Sequence, residues 1–276
     1  MYKILDGKLV SKEHETKLKK LIKDKMKLVI IKASDSKESD KYIYQKVKKC
    51  IDLGIEVELK EYKEDVTNDM IIKDIEVFNN DKDVTGIIVE LPLYNHLDDD
   101  KILNSISLVK DVDGLTDKNM SNLINGKECY IPGTVRGILS LLSYYDIDFK
   151  DKKVTIINRS RLIGKPLYYY LTNKGIDVNM VGHSTKDIKK ICKNSHILIT
   201  GIGKRDVIDK SYVKNNAVVV DAGINVECGQ IFGDVYFEDV KSKCDYITKV
   251  PGGVGPMTVI SLFENPYDAY LMQNKK

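Results

Sequence analysis

The sequence predicts an α/β fold made of two α/β domains with a cleft between them. Short apolar runs alternate with amphipathic helical segments over residues 1–135, and a second alternation of the same kind begins near Lys152. Such alternation is typical of parallel sheets covered by helices. A third observation is the segment 251–256, in which three glycines lie between two prolines. This segment cannot continue a helix or a central strand, so it predicts a rigid loop with a bare backbone.

Length and composition exclude several classes of protein. The chain has 276 residues, of which 42% are hydrophobic, enough for one large core or two modest ones. Its 44 basic and 41 acidic residues nearly balance, so we expect no nucleic-acid partner. We also expect no membrane association, because no apolar run approaches the length of a membrane span and the N-terminus lacks a signal-peptide core. Five scattered cysteines and four dispersed histidines predict a reduced, cytoplasmic protein without a metal site.

The first domain is predicted to be a β-α-β-α-β unit. The predicted elements are a strand over 28–32, a helix over 41–53, a strand over 56–60, a helix over 68–78 and a strand over 84–91. Gly54 follows the first helix and is a suitable C-terminal cap, while Pro92 ends the last strand. Ligands of such sheets bind at the carboxyl ends of the strands, so the loops there are the candidate site.

The second domain is predicted to begin after a helix over 137–145. Its predicted elements are a strand over 153–157, a helix from about Ile163, and strands over 178–181, 197–200 and 218–221. A strand end at 247–250 leads into the glycine-proline loop, and a helix follows it. We therefore expect one domain over 1–135, completed by a C-terminal helix over 255–276, and a Rossmann-like domain over 136–254.

The loop after the strand at 153–157 has the features of a phosphate-binding loop. It lacks the Gly-x-Gly-x-x-Gly pattern, but Ser160 supplies a hydroxyl and Gly164 allows the helix to pack closely. Arg159 and Arg161 add charge-assisted donors suited to a phosphate. The sequence therefore predicts a nucleotide site in the second domain.

The end of the next strand bears on the choice of nucleotide. Gly182, His183, Ser184 and Thr185 follow it, and none is the carboxylate that would grip a ribose 2′-hydroxyl. A serine near an arginine suits a 2′-phosphate, which favours NADP and leaves NAD possible. The glycines after the two following strands could be ordinary turns, but together they are better explained by one nucleotide. The candidate cofactor-binding residues are Asn158, Arg159, Ser160, Ile163, Gly164, His183, Ser184, Thr185, Gly201, Gly203 and Ile224.

The first domain contains a candidate catalytic group. Tyr42 and Lys46 lie one helical turn apart and therefore share a helix face, a spacing that is common on ordinary helices. Glu90 lies at the end of the third predicted strand, and Asp113 follows in a loop. The presence of Glu90 and Asp113 near Lys46, more than the spacing of Tyr42 and Lys46, favours a functional interpretation.

These motifs, taken in order, resemble the bifunctional methylenetetrahydrofolate dehydrogenase/methenyltetrahydrofolate cyclohydrolase family. The resemblance covers essentially the whole chain, and its most specific part is the glycine-proline loop. The matching segments are 4–8, 39–46, 86–93, 110–114, 159–166, 183–184, 233–235 and 250–258.

The resemblance implies two reactions and a role for each site residue. The first oxidises 5,10-methylenetetrahydrofolate to 5,10-methenyltetrahydrofolate with NADP, and the second hydrolyses that product to 10-formyltetrahydrofolate. Lys46 matches the catalytic lysine, Tyr42 the aromatic partner that positions the folate, and Asp113 the carboxylate that grips the pterin. In the glycine-proline loop, Pro251, Gly252 and Gly253 would place their backbone against the folate. Arg159 with Ser184 would hold the phosphate of NADP.

The resemblance also implies a folate-binding catalytic domain over 1–135, an NADP-binding domain over 136–254, a homodimer and a place in one-carbon metabolism that supplies purine biosynthesis. The chain departs from the family at several positions. Glu90 replaces a glutamine, Asn158 replaces a glycine, and the residues at 115–117, 132–137 and 248–249 also differ. Because Glu90 would contact Lys46 and favour its ammonium form, we hypothesise that dehydrogenase activity survives and cyclohydrolase activity is altered. The alternatives are a dehydrogenase whose cyclohydrolase activity is weakened or lost, and a non-catalytic folate- or nucleotide-binding protein.

Overall fold

The computed structural model describes residues 2–274, apart from the side chains of residues 38 and 41. The helices are α1 (Gly7–Leu21), α2 (Lys37–Leu53), α3 (Asn68–Asn80), α4 (Asp99–Leu103), α5 (Asp117–Ile124), α6 (Gly133–Tyr144), α7 (Gly164–Asn173), α8 (Ile188–Lys193), α9 (Phe237–Val240) and α10 (Val254–Asn274). The strands are β1 (Lys3–Leu5), β2 (Lys27–Lys32), β3 (Glu56–Glu61), β4 (Gly86–Glu90), β5 (Val154–Ile157), β6 (Val178–Val181), β7 (Ile197–Thr200), β8 (Ala217–Asp221), β9 (Asn225–Glu227), β10 (Gln230–Phe232) and β11 (Cys244–Thr248). None of these helices combines the length and the apolarity that crossing a membrane requires.

The chain folds into two compact units. The six-stranded unit comprises Met1–Glu13, Leu123–Lys127 and Pro132–Ser261, and the three-stranded unit comprises His14–Asn122, Glu128–Ile131 and Leu262–Lys276. Each unit is built on a parallel sheet with its own hydrophobic core. The predicted α/β fold with two domains is therefore confirmed.

The three-stranded unit carries a parallel sheet in the order β3-β2-β4. The central residues of β2 and β4 are buried on both faces, because helices cover a parallel sheet on both sides. Helix α3 buries Ile71, Ile75 and Phe78 in this core. Gly54 ends α2 in the left-handed conformation with φ 73°, as the sequence predicted. The sheet places Glu90 at the carboxyl end of β4, opposite Lys32 of β2.

The six-stranded unit carries a parallel sheet in the order β1-β11-β8-β7-β5-β6. The strands from β5 onward lie side by side in the order β6-β5-β7-β8-β11. The chain therefore runs from β5 to β6 in one direction and then returns past β5 to β7, so its direction across the sheet reverses between β5 and β7. Ligands of doubly wound sheets bind at the carboxyl ends of the strands beside such a switch point. Asn158 and Gly201 directly follow these two strands. The topology thus brings the predicted phosphate loop next to the first of the later glycine loops.

Two features of this unit lay outside the sequence analysis. β1 falls within the range 1–135 predicted for the first domain, and it pairs with β11 of the six-stranded sheet. β9 and β10 form an antiparallel hairpin with Cys228 and Gly229 at its tip. Both features use strands of three residues, which are too short to show a clear apolar period. The domain limits otherwise remain a prediction.

The buried Lys110 anchors the segment of the three-stranded unit that leads to Asp113. Lys110 is only 5% exposed, and its Nζ donates hydrogen bonds to the carbonyl oxygens of Phe78, at 2.7 Å, and of Asp81. These carbonyls lie at the C-terminal end of α3, where helices leave acceptors unpaired. Burial lowers the pKa of Lys110, although the charge of Asp81 opposes this shift. Lys110 therefore anchors the segment that leads to Asp113 and is not part of the reactive group.

Candidate active site

An ion pair lies at the carboxyl end of the three-stranded sheet. Lys46 of α2 donates a hydrogen bond from Nζ to Oε2 of Glu90 at 2.6 Å. The side chain of Glu90 is 8% exposed and that of Lys46 is 21% exposed, so the pair is mostly removed from water while one side stays open. Tyr42 lies one turn before Lys46 on the same helix, with half of its surface exposed. The lysine and the carboxylate that the sequence selected are therefore in direct contact.

Asp113 belongs electrostatically to this pair. It is partly buried in the loop that follows Lys110. Loss of hydration raises the pKa of Asp113, the positive charge of Lys46 lowers it, and the negative charge of Glu90 raises it. The structure thus brings Lys46, Glu90 and Asp113 into one group of interacting charges.

The loop around Asp113 is shaped by a second, buried aspartate. Asp111 is 1% exposed and accepts hydrogen bonds from the backbone N–H groups of Leu115 at 3.1 Å and Thr116 at 2.9 Å. Burial raises the pKa of Asp111 to about 6, while those two donors lower it and the charge of Asp113 raises it. Gly114, between Asp113 and Leu115, has φ 72°, a conformation in which a side chain would be strained. Asp111 therefore builds the turn that presents Asp113.

Two buried asparagines complete this support. Asn119 donates from Nδ2 to the carbonyl of Tyr130 at 2.6 Å and accepts from its N–H at 2.9 Å. Asn265 of α10 is fully buried and donates from Nδ2 to the carbonyl oxygens of Val112, at 2.8 Å, and Ile131, at 2.9 Å. Side-chain amides thus hold the backbone on both sides of Asp113.

In the six-stranded unit, Asn158 organises the predicted phosphate loop. Its Oδ1 accepts hydrogen bonds from the N–H groups of Ser160 at 2.7 Å and Gly164 at 2.9 Å. Its Nδ2 donates to the carbonyl of Gly201 at 2.5 Å, so one side chain links the loops after β5 and β7. Ser160 accepts from the N–H of Ile163 through its Oγ at 3.1 Å. The loop is therefore preorganised at the start of α7.

Arg159 lies across the end of β6. Its Nη2 donates to the Oγ1 of Thr185 at 3.3 Å and to the carbonyl of Met180 at 3.4 Å. A Cβ on Gly182 would lie 3.0 Å from the Cδ of Arg159, so the bare glycine makes room for the arginine stem. His183 and Ser184 are exposed beside it. A guanidinium, two hydroxyl-bearing residues and no carboxylate suit a phosphate monoester at this strand end.

The remaining cofactor candidates lie on the two later loops. Gly201 packs against Asn158 and Ile163, because a Cβ there would lie 3.4 Å from the Nδ2 of the asparagine and 3.3 Å from the Cδ1 of the isoleucine. Gly203 has φ 74° and open space around its Cα, and Ile224 is half exposed after β8. The structure joins Gly201 to the phosphate loop and leaves Gly203 and Ile224 at the surface of their own loops.

The glycine-proline loop packs against the start of α1. The N–H of Lys8 donates to the carbonyl of Gly252 at 3.2 Å. A Cβ on Gly7 would lie 1.7 Å from the carbonyl oxygen of Gly253, and Gly252 itself has φ 117°. Close backbone contact therefore explains the glycine at 7, and the positive φ explains the one at 252. A Cβ on Gly253 would lie 2.7 Å from the Cβ of Thr248, which explains the third glycine. Pro251 is exposed before them.

Sequence reasoning missed the buried acids of the six-stranded unit. Asp221 and Asp234 are 2% and 0% exposed, and both accept hydrogen bonds from backbone N–H groups of the loops after β7 and β8. The available signal was an aspartate at the very end of an apolar strand and another in the motif at 233–235. Across residues 2–274, no cluster of three or more histidine, cysteine or acidic side chains could hold a metal ion.

Comparisons with known proteins also divide the chain into a catalytic and an NAD(P)-binding domain. The family models described as tetrahydrofolate dehydrogenase/cyclohydrolase match residues 5–113 for the catalytic domain and 132–274 for the NAD(P)-binding domain. The chain is 42% identical to the bifunctional protein FolD of Mycoplasma mycoides subsp. mycoides SC, over 99% of this chain and 98% of the relative. It resembles the crystal structure of the bifunctional enzyme FolD from Campylobacter jejuni, with a TM-score of 0.92, 35% identity and 98% of both chains covered. It also resembles the Trypanosoma brucei enzyme complexed with NADP cofactor and inhibitor, with a TM-score of 0.90, 25% identity, and 100% and 99% of the two chains covered.

The buried Asp221 predicts a pH dependence of stability. Burial raises its pKa from the ordinary 3.8 to about 7, the charge of Asp234 adds to the shift, and backbone donors oppose it. Between these two values the folded state keeps a proton that the unfolded state has lost, so the contribution of Asp221 to stability falls as pH rises through this window. The slope is at most about 1.4 kcal/mol per pH unit. Asp221→Asn should flatten the change of melting temperature between pH 5 and 7.

Asp245→Asn is the matched control, because Asp245 lies on β11 of the same sheet but is exposed. It should keep the slope of the unmodified protein. An unchanged slope in Asp221→Asn would contradict the assignment.

Proposed function

This chain belongs to the tetrahydrofolate dehydrogenase/cyclohydrolase family, and we propose that Lys46, Glu90 and Asp113 form the group at which its two reactions take place. The resemblance inferred from the motifs is thereby confirmed. The enzyme oxidises 5,10-methylenetetrahydrofolate to the 5,10-methenyl cation and then hydrolyses that cation to 10-formyltetrahydrofolate. NADP, when bound, accepts the hydride of the first reaction. The contact between Lys46 and Glu90 at 2.6 Å is the observation that carries the proposal.

The charges of the site suit a reaction that creates a cation. Loss of hydride leaves a positive charge on the one-carbon bridge, and two carboxylates beside one ammonium leave an excess of negative charge when all three are ionised. Groups that are already oriented stabilise such a developing charge without further reorganisation. Asp113 additionally offers acceptors for the amino and ring N–H donors of a pterin. We infer that Tyr42 packs on the folate and that Pro251, Gly252 and Gly253 present backbone to it.

The second reaction places a different demand on Lys46. Water must lose a proton when it adds to the methenyl carbon, and a neutral amine is the form of lysine that accepts one. Glu90 accepts a hydrogen bond from the Nζ of Lys46 at 2.6 Å, so we propose that the lysine orients the water while a carboxylate takes the proton. This arrangement favours oxidation over hydrolysis relative to a site with a neutral amide at position 90.

The direct test follows methenyltetrahydrofolate formation by absorbance, with NADP and NAD in parallel. Product should form with the purified protein, and Lys46→Ala should lower the cyclohydrolase rate by roughly a hundredfold, because the water loses the group that orients it and a misplacement of about 1 Å can cost that much. Folate binding should remain measurable in the variant. Lys49→Ala is the control, since Lys49 lies on α2 and binds Glu15 at 2.8 Å. Absence of methenyl product with both nucleotides would overturn the proposed function.

Replacing Glu90 tests the division between the two reactions. Glu90→Gln removes the negative charge that binds Lys46, keeps the shape and leaves Asp113 as the carboxylate that takes the proton, so the cyclohydrolase rate should rise and the dehydrogenase rate should fall. A change of roughly tenfold corresponds to about 1.4 kcal/mol of barrier. Glu61→Gln is the control, because Glu61 also pairs with a lysine of the same sheet, Lys32, at 3.2 Å. Equal cyclohydrolase rates in Glu90→Gln and the unmodified enzyme would contradict this account.

The six-stranded unit binds a nicotinamide nucleotide, and its residues fit NADP. Asn158, Ser160, Ile163 and Gly164 form the turn that receives the pyrophosphate at the start of α7. We propose that Arg159, with Ser184 and Thr185, binds the 2′-phosphate, and that His183 lies beside it. Gly201, Gly203 and Ile224 would then border the nicotinamide end. NAD lacks the 2′-phosphate, so NADP should be preferred.

Arg159→Gln provides the test of this preference. The KM for NADP should rise by roughly ten- to a hundredfold, because a charge-assisted contact to phosphate is lost. The KM for NAD should stay within about twofold, since no 2′-phosphate is present, and it serves as the internal control. Equal increases for both nucleotides would assign Arg159 to a group that the two share.

Three further properties remain proposals. A homodimer and a role in supplying one-carbon units to purine biosynthesis are expected from the family. A cytoplasmic location is supported by the five cysteines, all of which are unpaired thiols in the structure. Size-exclusion chromatography with light scattering would test the homodimer directly.

A further inference from the structure

The carboxylate of Asp234 is the most heavily hydrogen-bonded side chain in the described structure that the reaction does not use. It lies after β10 and is fully buried. Its Oδ2 accepts hydrogen bonds from the Oγ1 of Thr200 at 2.8 Å and the N–H of Ile202 at 2.5 Å. Its Oδ1 accepts from the N–H groups of Gly203 at 2.9 Å and Lys204 at 3.1 Å. One side chain therefore binds three consecutive N–H groups of a single loop.

This arrangement fixes the loop 201–204 from the protein side. Asn158 holds the first residue of the loop through the carbonyl of Gly201, whereas residues 202–204 are exposed and Gly203 has φ 74°. Consecutive N–H groups that point into one concavity usually bind an anion, and here the anion is the protein's own carboxylate. These N–H groups are consequently not available to a phosphate. The loop meets a nucleotide through its carbonyl oxygens, its bare glycine surface and its exposed side chains, not through these N–H groups.

The same carboxylate reaches the neighbouring loop. Asn225 donates from Nδ2 to the Oδ1 of Asp234 at 3.5 Å, and a Cβ on Gly223 would lie 2.1 Å from that oxygen. Gly223 is therefore bare because Asp234 occupies the adjacent space. The two loops that carry Gly201, Gly203 and Ile224 thus meet at one buried charge.

A second aspartate holds Asp234 in turn. The Oδ1 of Asp221 accepts hydrogen bonds from the N–H groups of Gly223 at 2.9 Å and Asp234 at 3.2 Å, and its Oδ2 accepts from Val235 at 2.9 Å. A Cβ on Gly233 would lie 2.0 Å from the Oδ2 of Asp221. The motif Gly233-Asp234-Val235 is therefore explained by its packing against the end of β8. Two adjacent buried acids are tolerated because backbone donors surround both.

We propose that Asp234 is a positioning residue of the nucleotide site, which sets the shape of the loops 201–204 and 222–225 and through them the affinity for NADP. The inference rests on the proposed function, because it assigns these loops to the cofactor. Its charge is the essential property. An amide in its place would turn an N–H₂ group toward one set of the backbone donors and leave them unpaired.

The test is Asp234→Asn in the full-length protein, with NADPH binding followed by the fluorescence of the nucleotide. The dissociation constant should rise roughly tenfold, the size expected for losing charge-assisted hydrogen bonds. The KM for NADP should rise by the same factor. The cyclohydrolase reaction consumes no nucleotide, so its rate with methenyltetrahydrofolate should stay within about twofold. This second activity reports whether the folate chemistry and the fold survive.

Two more variants separate positioning from folding. Thr200→Val removes a single O–H donor to Asp234 and leaves the carboxylate in place, so it should weaken NADPH binding in the same direction by roughly two- to threefold. Asp239→Asn is the matched control: Asp239 also accepts a backbone hydrogen bond, from Lys210 at 2.8 Å, in the same unit but away from the two loops. It should bind NADPH as the unmodified protein does.

Each outcome decides the proposal. Unchanged NADPH affinity in Asp234→Asn would overturn it, and so would a parallel loss of both activities with a lowered melting temperature, which would reduce Asp234 to a general support of the fold. Failure of the unmodified protein to bind NADPH would instead overturn the proposed function. The two failures are therefore distinguishable.

Discussion

The structure depends on one constraint, which is that the loops at the carboxyl ends of its parallel strands leave backbone N–H groups that must find acceptors. Buried polar side chains supply them. Asp111 binds two such groups beside Asp113, Asn158 binds two in the phosphate loop, and Asp221 and Asp234 bind six between them. An unpaired buried N–H costs about 1–3 kcal/mol, so each acceptor selects one loop conformation. Ligand recognition then proceeds on loops that are already ordered.

This constraint divides the acidic residues at the strand ends into two kinds. Those that accept from backbone donors build loops, while Glu90 binds Lys46 and Asp113 interacts electrostatically with both, so these two acids are left to act on a ligand. Burial alone does not separate the two kinds, since Glu90 is also buried, at 7% exposure against 0–2% for Asp111, Asp221 and Asp234. The partner does. A carboxylate whose partners are N–H groups of its own loop is already satisfied, whereas one held by a single lysine keeps acceptors for substrate.

Much of the fold followed from local patterns. Apolar runs located the strands of the two sheets, because strands buried on both faces are apolar throughout. Gly54 located the end of α2, because a left-handed cap favours glycine. The contact between Lys46 and Glu90 was anticipated through motif resemblance, not through spacing. What could not be predicted depends on distant pairing: β1 has three residues and joins β11 across most of the chain, and Asp234 meets Thr200 from a separation of 34 residues. No local period records such contacts.

Two of the departures from the family pattern, at Asn158 and Glu90, differ in their physical effect. By the resemblance, Asn158 stands in place of a glycine, and its side chain binds two N–H groups of its own loop and the carbonyl of Gly201, so these hydrogen bonds order the loop. By the same resemblance, Glu90 stands in place of a glutamine, and its charge is paired with Lys46 at 2.6 Å. A substitution absorbed by backbone hydrogen bonds preserves chemistry. A substitution that changes the net charge beside a cationic intermediate changes the relative barriers of forming and consuming it, which is why the balance of the two activities should depend on position 90.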